Sequence, residues 1–192
     1  MRKLILASGS PYRRQLLEKL QLEFSCYSTD VDESPNTNEH PRALALRLSI
    51  AKALAARKQF PNHLIIGSDQ VAAFDGILLG KPGSRDQAFD QLKAQSGKKV
   101  SFYSGICVCD SNSGEFKTDI DICEVYFRTL RDAQITRYLE KEQPFDCAGS
   151  FKSESYGITL FSKIAGEDPN GLVGLPLIKL IRLLEAFGLA IP

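Results

Sequence analysis

From Leu4 to Leu20 the chain runs an apolar stretch, a Ser-Gly-Ser-Pro turn and a leucine-spaced segment in immediate succession, an order that admits little besides a strand–turn–helix unit. Leu4-Ile5-Leu6-Ala7 reads as a short buried strand. Ser10 offers an N-cap oxygen, and Pro11 brings a preset φ at the first helical position. Leu16, Leu17 and Leu20 then recur at helical spacing. A unit of this kind presents free backbone N–H groups at a helix N-terminus, where anions bind.

The remaining segments predict how that unit is extended. Residues 25–38 are polar and acidic and read as a loop. Pro41 opens a helix to about Lys58 with Leu44, Leu48, Ala51 and Ala55 on one stripe, and Leu64–Ser68 is a buried strand ending at Asp69-Gln70. Asp75-Gly76 marks a hairpin, and Ser84 with Gln87 reads as a capping box for a helix to about Gln95. Alternating residues predict an antiparallel pair over 100–110 and 116–128, joined at Ser111–Gly114. A helix over 132–141, a strand near 157–164, a Gly/Pro loop over 168–175 and an amphipathic helix over 176–187 follow, the last with Ile178, Ile181 and Leu184 inward and Gly188 as its stop. Helices and strands alternate early and a meander enters mid-chain, which predicts an α/β fold with a mixed sheet and flanking helices rather than an all-parallel one. Residues 1–192 read as a single domain with no repeat or free linker.

Charge and cysteine usage exclude several classes. A formal net charge of +1 is too small for a nucleic-acid or anionic-membrane surface. Phosphate chemistry must then rest on a few placed cations. Five cysteines without metal-ligand spacing read as buried, reduced thiols in a reducing compartment. The apolar stretch after Arg2-Lys3 is too short for a secretory signal, and no run approaches a membrane span. A cytoplasmic location is the expectation.

Candidate chemistry lies in four places. Arg13 and Arg14 fall in the first turn of the first helix and oppose the positive end of its dipole. They make sense if an anion sits there with Ser8 or Ser10; the alternative is that both point into solvent. Asp69, read as ending its strand, faces the crevice where α/β proteins bind ligands, either to hold a divalent cation or orient water, or merely to cap a loop. Gly76–Lys81 has a Walker-like outline but is one residue short between its glycines and continues into Pro82, so the P-loop reading fails. Lys81 can still meet a phosphate. Lys52 has Leu48, Ala55 and Ala56 as helical neighbours, and there a lysine either snorkels to solvent or reaches into a cleft. His40 and His63 lack the partners of a zinc site or a catalytic triad.

The order of these features resembles the Maf family of nucleoside triphosphate pyrophosphatases over essentially the whole chain. The matching stretches are LILASGSPYRRQLL, VDE at Val31–Glu33, IIGSDQV at Ile65–Val71, GKP at Gly80–Pro82, YSG at Tyr103–Gly105, CAGSFKSE at Cys147–Glu154 and EDPNGLVGLPL at Glu167–Leu177.

The resemblance implies hydrolysis of a nucleoside triphosphate between its α and β phosphates with a divalent cation, Mg²⁺ or Mn²⁺. It also implies an elongated mixed-sheet fold with two lobes around a cleft, and a possible homodimer. Carried over by position, Ser8 and Arg13 bind phosphate, Lys52 and Lys81 neutralise it, and Glu33 and Asp69 are the acidic pair and candidate metal ligands, Asp69 accepting the proton of water. Tyr12, Gln70 and Glu154 occupy the positions at which family branches differ, and CAGSFKSE resembles the branch acting on 7-methyl-GTP rather than that acting on dTTP and UTP. A Glu154 carboxylate can accept from both guanine N1–H and the 2-amino group, and N7 methylation strengthens those donors and favours an aromatic partner such as Tyr12. The alternatives are a pyrophosphatase for pyrimidine or other modified nucleotides, which would carry Gln at position 154, and a non-catalytic cell-division regulator, which would have lost Asp69, Lys52 or Lys81.

Overall fold

A computed structural model describes residues 2–191. Seven strands form one mixed sheet: β1 (Lys3–Leu6), β2 (Phe24–Cys26), β3 (His63–Phe74), β4 (Ile77–Leu79), β5 (Lys99–Asp110), β6 (Phe116–Phe127) and β7 (Phe161–Ala165). The path is β2-β1-β3-β5-β6-β7, with β4 paired to β3. The helices are α1 (Pro11–Glu18), α2 (Pro41–Arg57), α3 (Arg85–Gln95), α4 (Asp132–Glu142) and α5 (Leu177–Glu185). The chain forms two compact units, one of Met1–Gln70, Tyr103–Asp121 and Glu167–Pro192, the other of Val71–Phe102 and Ile122–Gly166. The expected α/β class with a mixed sheet holds.

In the first unit, β1 pairs in parallel with both β2 and β3, with Leu6 opposite Cys26 and Ile66. Alternating strand residues serve two apolar layers. Leu4, Leu6, Leu64, Ile66, Ile106 and Val108 meet Leu16 and Leu17 of α1 and Leu177, Leu180 and Leu184 of α5. Ile5, Ala7, Ile65, Cys107 and Cys109 meet Ala53 and Ala56 of α2. On the α2 side this second layer is made of alanines. A Cβ on Gly67 would lie 2.1 Å from the Ser49 carbonyl oxygen, and one on Gly105 would lie 2.5 Å from that of Ala45. These two glycines let the backbone of α2 rest directly on the sheet.

The second unit gathers aromatics scattered along the sequence. Phe151 packs edge-on against Phe102, Phe127 and Phe161, with ring centroids 5.3, 5.7 and 4.8 Å away. Asp75 and Gly76 both have positive φ, 48° and 78°, the requirement of the two-residue hairpin turn between β3 and β4. Ser84 caps α3 by accepting from Gln87 N at 3.3 Å.

Five expectations need correction. β3 does not stop at Ser68 but runs on to Phe74, because Ser68, Asp69 and Gln70 each find a polar partner that lets the strand stay buried. β2 overlaps the start of the segment read as loop; as a three-residue edge strand exposing Ser25 and Cys26, it carries no hydrophobic pattern. The segment before β7 is a 3₁₀ turn, Tyr156–Leu160, with Gly157 pressed on the Lys152 carbonyl. In α5 the inward residues are Leu177, Leu180 and Leu184, whereas Ile178 is 45% exposed. Cys26 is also exposed and Cys147 half-buried, unlike buried Cys107, Cys109 and Cys123.

Gly67→Ala should cost about 3 kcal/mol, the upper range for overpacking against an immobile backbone. Urea denaturation followed by circular dichroism checks this, and an unchanged midpoint would contradict the close approach of α2.

Candidate active site

The helix expected at Ser10 forms as drawn, with Ser10 Oγ accepting from Arg13 N at 3.4 Å. Its first turn sends the two arginines different ways. Arg13 donates through Nε to the Gly174 carbonyl at 3.0 Å and through Nη1 to Ser8 Oγ at 3.4 Å. Arg14 stays exposed and pairs with Glu18 at 3.0 Å, so only Arg13 turns toward Ser8 and Gly174. Burial lowers the pKa of Arg13, opposed by Asp69 and Glu33. Ser8 is buried, and its Oγ also accepts from Ser10 N at 3.2 Å. Tyr12 lies half-buried beside Arg13 in the same turn.

Lys52 does not snorkel. Its side chain is 10% exposed, and Nζ lies 2.6 Å from Asp69 Oδ1 and 2.6 Å from Glu33 Oε1. The pairing follows from strand geometry: Ile65, Gly67 and Asp69 share the face covered by α2, so Asp69 meets the helix one turn beyond Ser49. β1 pairs with β3 only as far as Ile66, so Asp69 lies past the end of its parallel neighbour although its own strand continues. Burial raises the Asp69 carboxyl above the usual carboxylate value; Lys52 and Arg13 oppose the rise and Glu33 adds to it.

On the opposite face, Ser68 Oγ donates to the Gly174 carbonyl at 2.9 Å. Gln70 Nε2 lies 3.0 Å from Ser104 Oγ, 3.1 Å from the Gly171 carbonyl and 2.9 Å from that of Leu172. Its amide nitrogen thus holds the 3₁₀ turn Gly171–Val173. Lys81 and Glu154 belong to the second unit, both exposed, with Glu154 Oε2 accepting from Ser153 Oγ at 3.2 Å.

Three contributors escape sequence reasoning. Gly174, through its carbonyl oxygen, receives both Arg13 and Ser68, a role no side-chain pattern reveals. Asp168 accepts from Ile178 N at 2.6 Å and from Asn170 N at 2.8 Å, securing the 168–176 loop to the start of α5 from ten residues upstream. Arg47 grips Glu39 through two bonds of 2.7 and 2.8 Å and donates to the Ser34 carbonyl, fixing the loop that carries Glu33. Arg47 holds the Glu39 carboxyl down to about 2. An arginine five residues before Lys52 on α2, after an acidic loop, is the only available sequence signal.

Chemically, the first unit offers a guanidinium and a hydroxyl at a helix N-terminus, beside an ammonium shared by two carboxylates. The former suits a phosphate oxygen. The latter is oxygen-rich and has already drawn in one cation. Among the described residues, no three His, Cys, Asp or Glu side chains are grouped to hold a metal, and no helix is long and apolar enough to cross a membrane.

A family model described as Maf-like protein matches residues 3–187. The chain is 55% identical to the 7-methyl-GTP pyrophosphatase of Alcanivorax borkumensis, over 98% of this chain and 96% of that protein. It is also 55% identical to the 7-methyl-GTP pyrophosphatase of Pseudoalteromonas translucida, over 97% and 92%. Among solved structures it is similar to the Staphylococcus aureus Ham1 protein, with a TM-score of 0.48 and 16% identity over 66% of this chain and 72% of that one. With its signature stretches in order and the family model covering nearly its whole length, the chain belongs to the Maf family.

Proposed function

We propose that this protein hydrolyses 7-methyl-GTP to 7-methyl-GMP and pyrophosphate. The observation that carries the chemistry is the buried Lys52–Asp69 pair beside Arg13 and Ser8. A carboxylate held in a desolvated place with raised proton affinity is suited to take a proton from water as that water attacks the α-phosphate. Arg13 and Ser8 bind the phosphate chain, and Lys52 and Lys81 neutralise its charge. Phosphoryl chemistry of this kind needs positioning and charge stabilisation, not a nucleophilic side chain.

Glu33 and Asp69 would hold a divalent cation. Their fit rests on the shared ammonium: two carboxylates that converge on one cation can converge on another, and hard oxygen donors suit Mg²⁺ or Mn²⁺. Such a cation supplies charge neutralisation to the phosphates when bound. A small nucleotide as partner, with no membrane span among the described residues, agrees with this reading.

For the base, Glu154 reads the Watson–Crick edge of guanine and Tyr12 stacks on the methylated ring. The 55% identity to relatives named 7-methyl-GTP pyrophosphatases supports that choice over pyrimidine nucleotides.

Pyrophosphate release across 7-methyl-GTP, GTP, UTP, dTTP and CTP should favour 7-methyl-GTP; a preference for UTP or dTTP would overturn the substrate assignment. Glu154→Gln should erase the preference but retain hydrolysis, whereas Asp69→Asn should lower kcat at least about a hundredfold on every nucleotide, the scale of a lost general base. Chelation should abolish turnover, and Mg²⁺ or Mn²⁺ should restore it.

The pH dependence has a definite sign. Burial raises the Asp69 pKa, so the acidic limb of kcat/KM should lie above that of an ordinary aspartate. Lys52 lowers the same pKa, and in Lys52→Met the residual activity should therefore have its acidic limb moved to higher pH. A pH–rate series on both proteins measures it, and a limb that moves down or stays put would remove Asp69 as the base.

A further inference from the structure

The Gly80-Lys81-Pro82 turn and the 147–154 segment stand far apart in sequence, yet one side chain of α3 bonds to both. Gln91 donates through Nε2 to the Gly80 carbonyl at 3.2 Å and accepts through Oε1 from Ser150 Oγ at 2.5 Å. One turn further along the same helix face, Gln95 Nε2 donates to the Gly149 carbonyl at 3.3 Å, and Gln95 is fully buried. These bonds grip a strained turn. Gly149 and Ser150 both have positive φ, 76° and 64°; the second is uncommon for a residue with a Cβ, and Ser150 is fully buried. A strained residue persists only where its surroundings over-determine it, and such positions cluster where geometry serves function.

We propose that Gln91 is a positioning residue that ties the turn carrying Lys81 to the segment carrying Glu154, so that phosphate contact and base contact are set together. This rests on the roles proposed above for Lys81 and Glu154. An amide is the one common side chain of this length that donates at one end and accepts at the other. Each bond therefore has its own variant. Ser150→Ala removes only the link to the 147–154 segment. Gln91→Glu still accepts from Ser150 but cannot donate to Gly80. Gln91→Leu removes both.

The test pairs substrate discrimination with hydrogen exchange. In Ser150→Ala the ratio of kcat/KM for 7-methyl-GTP over UTP should fall about tenfold, the order of one hydrogen bond. Gln91→Glu should keep that ratio and raise KM for both nucleotides, and Gln91→Leu should show both defects. Independently of any substrate, Gln91→Leu should speed amide exchange in residues 80–83 and 149–154 together. Retained discrimination in Ser150→Ala, or exchange that rises in only one of the two segments in Gln91→Leu, would overturn the proposal. A wild-type protein without preference for 7-methyl-GTP would instead defeat the substrate reading, while coupled exchange would still establish the tie.

Discussion

A buried lysine between two carboxylates sets the terms for the rest of the first unit. Taking an ammonium and a carboxylate out of water is costly unless they meet in good geometry with their other bonds filled. Here the contact is 2.6 Å, with Glu33 adding a second carboxylate from the solvent side. That contact requires α2 to lie very near β3, and the nearness in turn requires glycine at 67 and 105 and alanine at 45, 53 and 56. The packing layer that looks weakest by apolar volume is thus the one the charge pair needs. Arg47, five residues earlier on the same helix, anchors the Glu33 loop, so α2 positions two of the three charges.

The opposite face of β3 is organised by backbone rather than by charge. Carbonyls of Gly171, Leu172 and Gly174 take bonds from Gln70, Ser104, Ser68 and Arg13. Asp168 secures the same loop to α5. Arg13 therefore spans two functions: its Nε is committed to the loop, and its Nη1 lies beside Ser8 at the helix N-terminus. A guanidinium can do this because its donors are fixed in a planar fork, which an ammonium cannot imitate.

The sequence made some of this legible and hid the rest for identifiable reasons. Local signals stood out where chemistry and backbone geometry coincide: Ser10-Pro11 as a helix start, Asp75-Gly76 as a hairpin, Gly188 as a stop. The mixed sheet followed from the order of the elements. Strand boundaries failed where polar residues are buried with partners, since Ser68-Asp69-Gln70 looks like a strand end until Lys52, Gly174 and Gly171 are in place. Edge strand β2 gave no pattern because only one of its faces is partly covered. Of the candidate residues, Ser8, Arg13, Lys52 and Asp69 stood out on local pattern with bland alternatives left open, and Glu33 came only through the resemblance; the contacts themselves, Lys52 to Glu33 and Asp69 and Arg13 to a carbonyl 161 positions away, could not be derived from spacing. Gln70, expected at substrate, has its amide nitrogen committed to the 171–172 carbonyls.

The continuity of β3 has an evolutionary corollary. Ser68, Asp69 and Gln70 are consecutive and look alternately to opposite faces, each with a dedicated partner. One residue gained or lost between Leu64 and Asp69 would turn the carboxylate away from Lys52 and aim a neighbour at it, since side chains in a strand repeat every second residue. The strand behaves as a ruler: it can accept exchange of one amino acid for another, but not a change of length. Divergence in chain length must therefore accumulate outside such strands, where no alternation of faces has to be kept.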